Sequence, residues 1–291
     1  MEKILRIDEI ELSQLGSSKN KQYISNEPFP NIYFDDFFNG DFLNKVLDEF
    51  PDLESRNGKK YNDSNQVKFA TKSEYEMGSE TRRFIHFLNS HIFLEFLSSL
   101  TGINNLIPDP YLSGGGCHEI KRGGFLKIHA DFNKHPKNQL DRRINVLVYL
   151  NKNWDKTYGG DFELWNNDMT QSVKKIEPVF NRMAIFSTTS KSYHGHPDPL
   201  TCPDNRSRKS IALYYYTNGR PEEEVEKYLE SHSTIFKARV GVDDQKDTEA
   251  YISNKVQKEK KKEFKAKTLT FLKAVTPPII LSALKKVVLK K

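Results

Sequence analysis

Cysteine is almost absent from this 291-residue chain: Cys117 and Cys202 are the only two. Two cysteines make no disulfide framework, so the fold has to rest on an apolar core, and two reduced thiols in a cytoplasmic protein are the expectation. Long apolar runs are missing as well. No stretch of about 18 apolar residues occurs, which argues against a spanning helix. Met1 to Ser13 alternates charge with Ile and Leu and lacks the continuous apolar stretch of a signal peptide. No segment repeats at a period of roughly 20–50 residues, which sets aside solenoids and propellers. Excess positive charge is also lacking over most of the chain. The net +6 comes from residues 255–291, whose twelve Lys and two Glu carry +10, leaving −4 on everything before them. A nucleic-acid enzyme would carry its basic patch around the active site. Charge confined to one end points instead to a partner of the tail, and nucleic acid is not expected.

What is present begins with aromatic bulk. Aromatic residues make up 12% of the chain and a third of its 36% apolar content, enough to build a core at this length. Residues 14–27 are polar, with Gly16, Ser17 and Ser18, and read as a leader loop within a leader of residues 1–27. Residues 28–110 read as a helical N-terminal part. Phe29–Phe34 is a first strand. Asp41 caps a helix with Phe42, Leu43, Val46, Leu47 and Phe50 on one face, and Pro51 stops it. A second helical region runs from Ser79 to Leu100, with Gly102 where a C-terminal glycine belongs. From Tyr111 the text changes to short β-rich runs separated by Gly, Asn, Asp and Pro: Phe125–His129, Ile144–Leu150, Phe162–Trp165, Arg182–Ser187 and Ser210–Tyr216. Many short strands with turn signals argue a sandwich or barrel over a parallel sheet. This β core spans 111–219. A charged helical extension (220–264, helical from Glu222 to Glu230) and a basic amphipathic tail (265–291) follow.

Leu126-Lys127-Ile128-His129-Ala130-Asp131 reads as a strand. A period of two puts Lys127, His129 and Asp131 on one face and Leu126 and Ile128 on the other. An imidazole and a carboxylate two residues apart can clasp one metal ion, although a solvated strand edge with two polar residues is the commoner meaning of His-x-Asp alone. His194, after the apolar run Met183–Phe186, changes that balance. Two His and one carboxylate form a facial triad that leaves coordination positions open and suits Fe(II) oxygenases, whereas three His or several Cys would argue for zinc. Arg208 opens the run to Tyr214, and its planar guanidinium can grip a carboxylate with two parallel hydrogen bonds. His196 is a rival to His194. His135 is a candidate for the mouth of the site. Arg142 and Arg143 are candidates either for an acidic substrate group or for pairing with Asp141 or the surroundings of Asp131. His86, His91, His118 and His232 read as ordinary helix or strand residues.

Residues from about Phe125 to Thr217 resemble the catalytic core of the prolyl-4-hydroxylase-like 2-oxoglutarate oxygenases. The resemblance rests on the triad and on three further motifs: Tyr149-Leu150-Asn151-Lys152-Asn153-Trp154, Gly159-Gly160-Asp161-Phe162-Glu163-Leu164, and the Ile176-Glu177-Pro178 turn that ends in Arg182. It covers about a third of the chain, and the Pro28–Pro51 segment is similar to the helical lead-in of such enzymes. The resemblance implies a mainly β fold with flanking helices (α+β): a double-stranded β-helix, or jelly-roll, core with N-terminal helices packed outside. It implies Fe(II) held by His129, Asp131 and His194. The far carboxylate of 2-oxoglutarate would be held by Arg208 and Tyr149, with Ser210 as a further candidate. O2 is the implied oxidant and ascorbate the reductant that restores iron. Asp131 argues against a halogenase, which needs that carboxylate absent. The substrate is left open between a prolyl or other peptide side chain and a small molecule or glycan. A non-catalytic jelly-roll ligand-binding module is the alternative, and a zinc-dependent hydrolase on the same scaffold a second. After Pro278, Ile280, Leu281, Leu284, Val287 and Val288 recur at helical spacing beside Lys285, Lys286, Lys290 and Lys291. Such a helix can lie on an anionic membrane, so contact of 265–291 with the inner face of a membrane is an expectation, beside docking on a partner or its own protein.

Overall fold

The computed structural model describes residues 2–55, 58–225 and 231–244. The chain divides into a compact unit, Met1–Gln245, and a second unit, Lys246–Lys291, which lies outside the described residues together with the basic tail. The elements follow in chain order as α1 (Glu9–Ser25), β1 (Asn31–Phe34), α2 (Gly40–Asp48), β2 (Lys59–Asp63), β3 (Gln66–Ala70), α3 (Ser79–Leu88), α4 (His91–Thr101), β4 (Ile107–Pro108), β5 (Gly116–Lys121), β6 (Phe125–Ala130), β7 (Asp141–Tyr149), β8 (Phe162–Trp165), β9 (Ser172–Ile176), β10 (Met183–Ser187), β11 (His194–His196), β12 (Ser207–Thr217), α5 (Glu222–Val225) and β13 (Ile235–Phe236). No described helix is long and apolar enough to cross a membrane.

The strands pair in the order β1-β10-β7-β12-β5-β3-β6-β11-β8-β9, and every pairing is antiparallel. β3 bridges β5 and β6, so the path folds over and sets β7, β12 and β5 opposite β6, β11 and β8 across one pocket. This is the jelly-roll core. Alternation along β7 explains how one strand serves two purposes. Ile144, Val146 and Val148 face outward into the main core, where they meet Met183, Ile185, Ile211, Leu213 and the helical layer. Asn145 and Leu147 face inward and line the pocket. On β12, Ile211, Leu213 and Tyr215 likewise join the outer core, while Arg208, Ser210 and Tyr214 line the pocket.

Several local expectations change. The leader loop of 14–27 is helical as far as Ser25. Its signal is a capping box, in which the Asp8 carboxylate accepts from Glu11 N at 2.8 Å and the Glu11 carboxylate accepts from Asp8 N at 3.0 Å. The helix lacks a clear apolar stripe, and Ile10 and Ile24 are exposed. It holds to α4 by close approach: a Cβ on Gly16 would lie 2.8 Å from the Phe96 carbonyl oxygen. Asn39, rather than Asp41, caps α2, its side-chain oxygen accepting from Asp41 N and Phe42 N. The helical region 79–100 breaks at Ser90, whose extended backbone starts a new helix, and Gly102 ends it in the left-handed region at φ 74°. Helix after Pro221 is described only for Glu222–Val225, and residues 226–230 lie outside the described residues. Farther along, inside what reads as a charged helical extension, Ile235–Phe236 is a strand on β6.

The face assignment on β6 also changes. His194 pairs with His129, but His196 pairs with Leu126, so Lys127 and Ile128 together oppose Gly195 in a β-bulge. The extra residue turns the strand. Leu126 and His129 both line the pocket, while Lys127 leaves the metal face and its ammonium reaches Asp244 at 2.8 Å. Gly195 is required here, because a Cβ on it would stand 2.7 Å from the Leu126 carbonyl oxygen.

Candidate active site

His129, Asp131 and His194 come together, with one ligand atom from each lying within 4.8 Å of the others. Antiparallel pairing of β11 on β6 sets His194 opposite His129, and Asp131 follows one residue after β6 ends. The imidazole rings are 4.5 Å apart between centroids. His129 Nδ1–H donates to the Lys127 carbonyl and His194 Nδ1–H to the Ser192 carbonyl, each at 2.8 Å. Both rings are thereby fixed in one tautomer, with the unprotonated Nε2 turned inward as a ligand. His129 Nε2 lies 3.5 Å from Asp131 Oδ1, and His194 Nε2 lies 3.4 Å from Asp131 Oδ2.

Burial pushes the Asp131 carboxyl upward, but the Arg142 guanidinium and the two imidazoles outweigh it and hold Asp131 well below the usual carboxylate range. Asp131 Oδ2 accepts from Arg142 Nη2 at 2.9 Å and from Asn145 Nδ2 at 2.8 Å. Arg142 is itself stacked against Tyr214, 3.5 Å from the ring centroid, and Phe132. Burial lowers the pKa of His129, which favours the neutral ligand form. Two imidazoles and one ionised carboxylate, oriented by hydrogen bonds behind them, suit a divalent iron with open positions.

Arg208 stands across the same pocket, almost fully buried. Its Nε donates to the Gly160 carbonyl at 2.8 Å, and Nη2 lies 3.5 Å from the Tyr149 hydroxyl. Gly160 sits at φ 80°, and a Cβ there would press within 3.0 Å of Arg208 Cδ, so the glycine gives the guanidinium room. Burial lowers the pKa of Arg208 and pushes the Tyr149 hydroxyl up to about 12. Ser210 lines the pocket beside them, opposite Tyr149 in register. A buried guanidinium with no acidic side chain paired to it among the described residues, beside a protonated phenol, is a receptor for a carboxylate.

The other candidates fall as follows. His196 lines the pocket but is not part of the three-residue cluster, since it pairs with Leu126 farther along β6 while His194 sits opposite His129. His135 is buried outside the pocket, with Nε2 3.3 Å from Asp109. Arg142 serves Asp131, and Arg143 pairs with Glu224. Asn145, Lys68 and His118 are among the pocket residues that sequence reasoning missed. Lys68 and His118 lie on strands β3 and β5, which were not foreseen in the sequence. Burial lowers Lys68 to about 8 and His118 to about 3.

Jelly-roll topology, a two-His, one-carboxylate centre and an arginine at the far end of the pocket define an iron-dependent oxygenase with an acidic cosubstrate. Residues 115–216 match the model of the 2OG-Fe(II) oxygenase superfamily. That span is a 2-oxoglutarate/Fe(II)-dependent oxygenase domain, similar to the prolyl-4-hydroxylase-like enzymes, and this describes it better than a non-catalytic binder. Curated relatives include prolyl 3-hydroxylase OGFOD1 of Mus musculus, 26% identical over 196 residues, which are 65% of this chain and 33% of that protein. The Xenopus laevis counterpart is 25% identical over 195 residues, 65% of this chain and 35% of that protein. The chain thus spans about a third of the length of the curated relatives it matches. Among solved structures, a prolyl hydroxylase of Trichoplax adhaerens, in complex with a hypoxia inducible factor peptide fragment, superposes with a TM-score of 0.54 at 20% identity, covering 77% of this chain and 96% of that one. A Pseudomonas putida prolyl-4-hydroxylase gives 0.51 at 14% identity, over 70% and 100%. These two structures speak to the fold.

Proposed function

We propose that the chain hydroxylates a prolyl or other peptide side chain, with Fe(II) and 2-oxoglutarate bound in the pocket between β6–β11 and β12. The observation that carries this reading is the pairing of the inward-facing His129–Asp131–His194 cluster with a buried, carboxylate-seeking Arg208 in one pocket. The prolyl hydroxylases among the relatives support a peptide over a small molecule or glycan. Iron in this donor set supplies oxidative decarboxylation of 2-oxoglutarate to succinate and CO2, coupled to hydroxylation by O2. The protein's part is positioning. His129, Asp131 and His194 hold the metal, Arg142 and Asn145 keep Asp131 ionised and oriented, and Arg208 and Tyr149 receive the distal carboxylate. Ser210 is a further contact for that carboxylate. Leu126, Leu147 and Phe162 keep the pocket wall apolar. Anaerobic addition of Fe(II) and 2-oxoglutarate should give a visible charge-transfer band, absent in Asp131→Ala. Succinate release, measured with ascorbate as reductant, should then be stimulated by a proline-containing peptide library. Stimulation by glycan precursors alone would reject the peptide substrate.

For the whole chain we infer a cytoplasmic protein whose residues 265–291 rest on the inner face of a membrane. The support is the alternation of Lys with an apolar stripe after Pro278. Co-sedimentation with anionic phospholipid vesicles, lost at high salt, tests it.

A further inference from the structure

Residues 231–244 lie C-terminal to the span that matches the oxygenase superfamily, yet their contacts converge on the metal-bearing strands. β13 occupies the edge of β6 just beyond β3, pairing Ile235 with Ala130 and Phe236 with His129. Lys237 N donates to the Ile128 carbonyl at 2.9 Å, and His232 N donates to Asn133 Oδ1 at 2.8 Å, so the segment follows the chain along both sides of the His129–Asp131 pair. The Phe236 ring packs on the His129 ring, 5.4 Å between centroids.

Farther on, side chains take over from the backbone. Asp244 accepts from Lys127 Nζ at 2.8 Å and from Arg239 Nε at 2.7 Å, and Arg239 Nη1 donates to Asp198 at 2.9 Å. Lys127 is the residue whose carbonyl orients His129, and Asp198 follows β11 by two residues. One ion network therefore ties the strand of the first histidine to the exit of the strand of the second. Lys127, Arg239 and Asp244 are nearly buried, so the network is far less screened than a surface pair. Phe236 is buried, and none of the segment's described residues belongs to the four apolar core clusters.

We propose that 231–244 is a clasp on the metal centre, in which Phe236, Asp244 and Arg239 are positioning residues that hold His129 and β11 in the geometry the ion requires. The proposal rests on the reading of His129, Asp131 and His194 as the metal ligands. It is tested by titrating Co(II), a redox-stable stand-in for Fe(II), into metal-free full-length protein. Dissociation constants, the Co(II) d–d spectrum and thermal midpoints with and without metal are recorded. Phe236→Ala and Asp244→Asn should each weaken Co(II) binding by about 10-fold or more, as loss of groups behind metal ligands does, and should shift the d–d bands. Leu97→Ala, in the helical layer, should lower the metal-free midpoint while leaving Co(II) affinity within about 2-fold, since it touches nothing behind the ligands. Should Phe236→Ala not fold, Phe236→Leu keeps the apolar bulk without the ring and carries the same expectation. Wild-type affinity and spectrum in the clasp variants, with only their midpoints lowered, would overturn the clasp and leave the metal site standing. Failure of the wild-type protein to take up Co(II) would overturn the metal-site reading, and the clasp with it.

Discussion

At the scale of single residues, the pocket divides its charges between two tasks. Arg142 is committed to Asp131. Arg208 has the Gly160 carbonyl and the Tyr149 hydroxyl but no carboxylate side chain among the described residues. Arg208→Ala should therefore raise the 2-oxoglutarate dissociation constant by about 10- to 100-fold, the cost of a charge-assisted hydrogen bond in a buried site, read by calorimetry on Co(II)-loaded protein. Arg208→Lys should not restore it, because an ammonium is a point charge and cannot present the planar fork. Lys68 makes a different case. Burial holds its folded pKa near 8, below the ordinary 10.5, so the folded state carries the unfavourable ammonium below about pH 8. Between the two values the unfolded chain binds more protons, and stability should rise with pH across that window. Urea unfolding of the metal-free protein at pH 7 and pH 9.5 should show this rise in wild type. Lys68→Met should be more stable at pH 7 and lose the rise.

At the scale of elements, α1 shows why some of the fold was not legible in the text. Its residues carry no apolar stripe, which is what periodicity detects. The helix is specified by the Asp8–Glu11 caps and by a glycine that lets it approach α4. Gly16→Ala ought to gain about 1 kcal/mol of helix propensity. The approach of its Cβ to the Phe96 carbonyl outweighs that gain, and a net loss of about 1–3 kcal/mol is expected in chemical denaturation. β6 shows the same limit for strands. His-x-Asp can be read off the chain, and strict alternation places both side chains together, but alternation also assigns Lys127 to the metal and Leu126 away from it. The bulge opposite Gly195 reverses those two assignments, and a bulge is a property of the pair of strands. Gly195→Ala should consequently disturb both histidine strands at once, lowering Co(II) affinity together with the thermal midpoint.

At the scale of the whole molecule, the two units of the chain are separable in charge. The slightly acidic part holds the site, and the positive excess is gathered in residues 255–291. Truncation after Gln245 should leave the metal-dependent rise in thermal midpoint unchanged while abolishing co-sedimentation with anionic vesicles. Truncation before Ser231 should reduce Co(II) affinity as well, because it removes the clasp.

The sequence by itself determined the chemistry: two imidazoles, a carboxylate and a guanidinium at spacings that place them on short strands, with the glycines and turns that make those strands. Residue identity and local periodicity carry that much, because ligand chemistry is a property of side chains and strand formation a property of near neighbours. Tertiary structure alone decided that Arg142 serves Asp131, that Lys68 and His118 enter the pocket, and that residues beyond the oxygenase core brace the metal strands. Each of those contacts joins positions far apart in the chain, and only the folded pairing of strands brings them within reach.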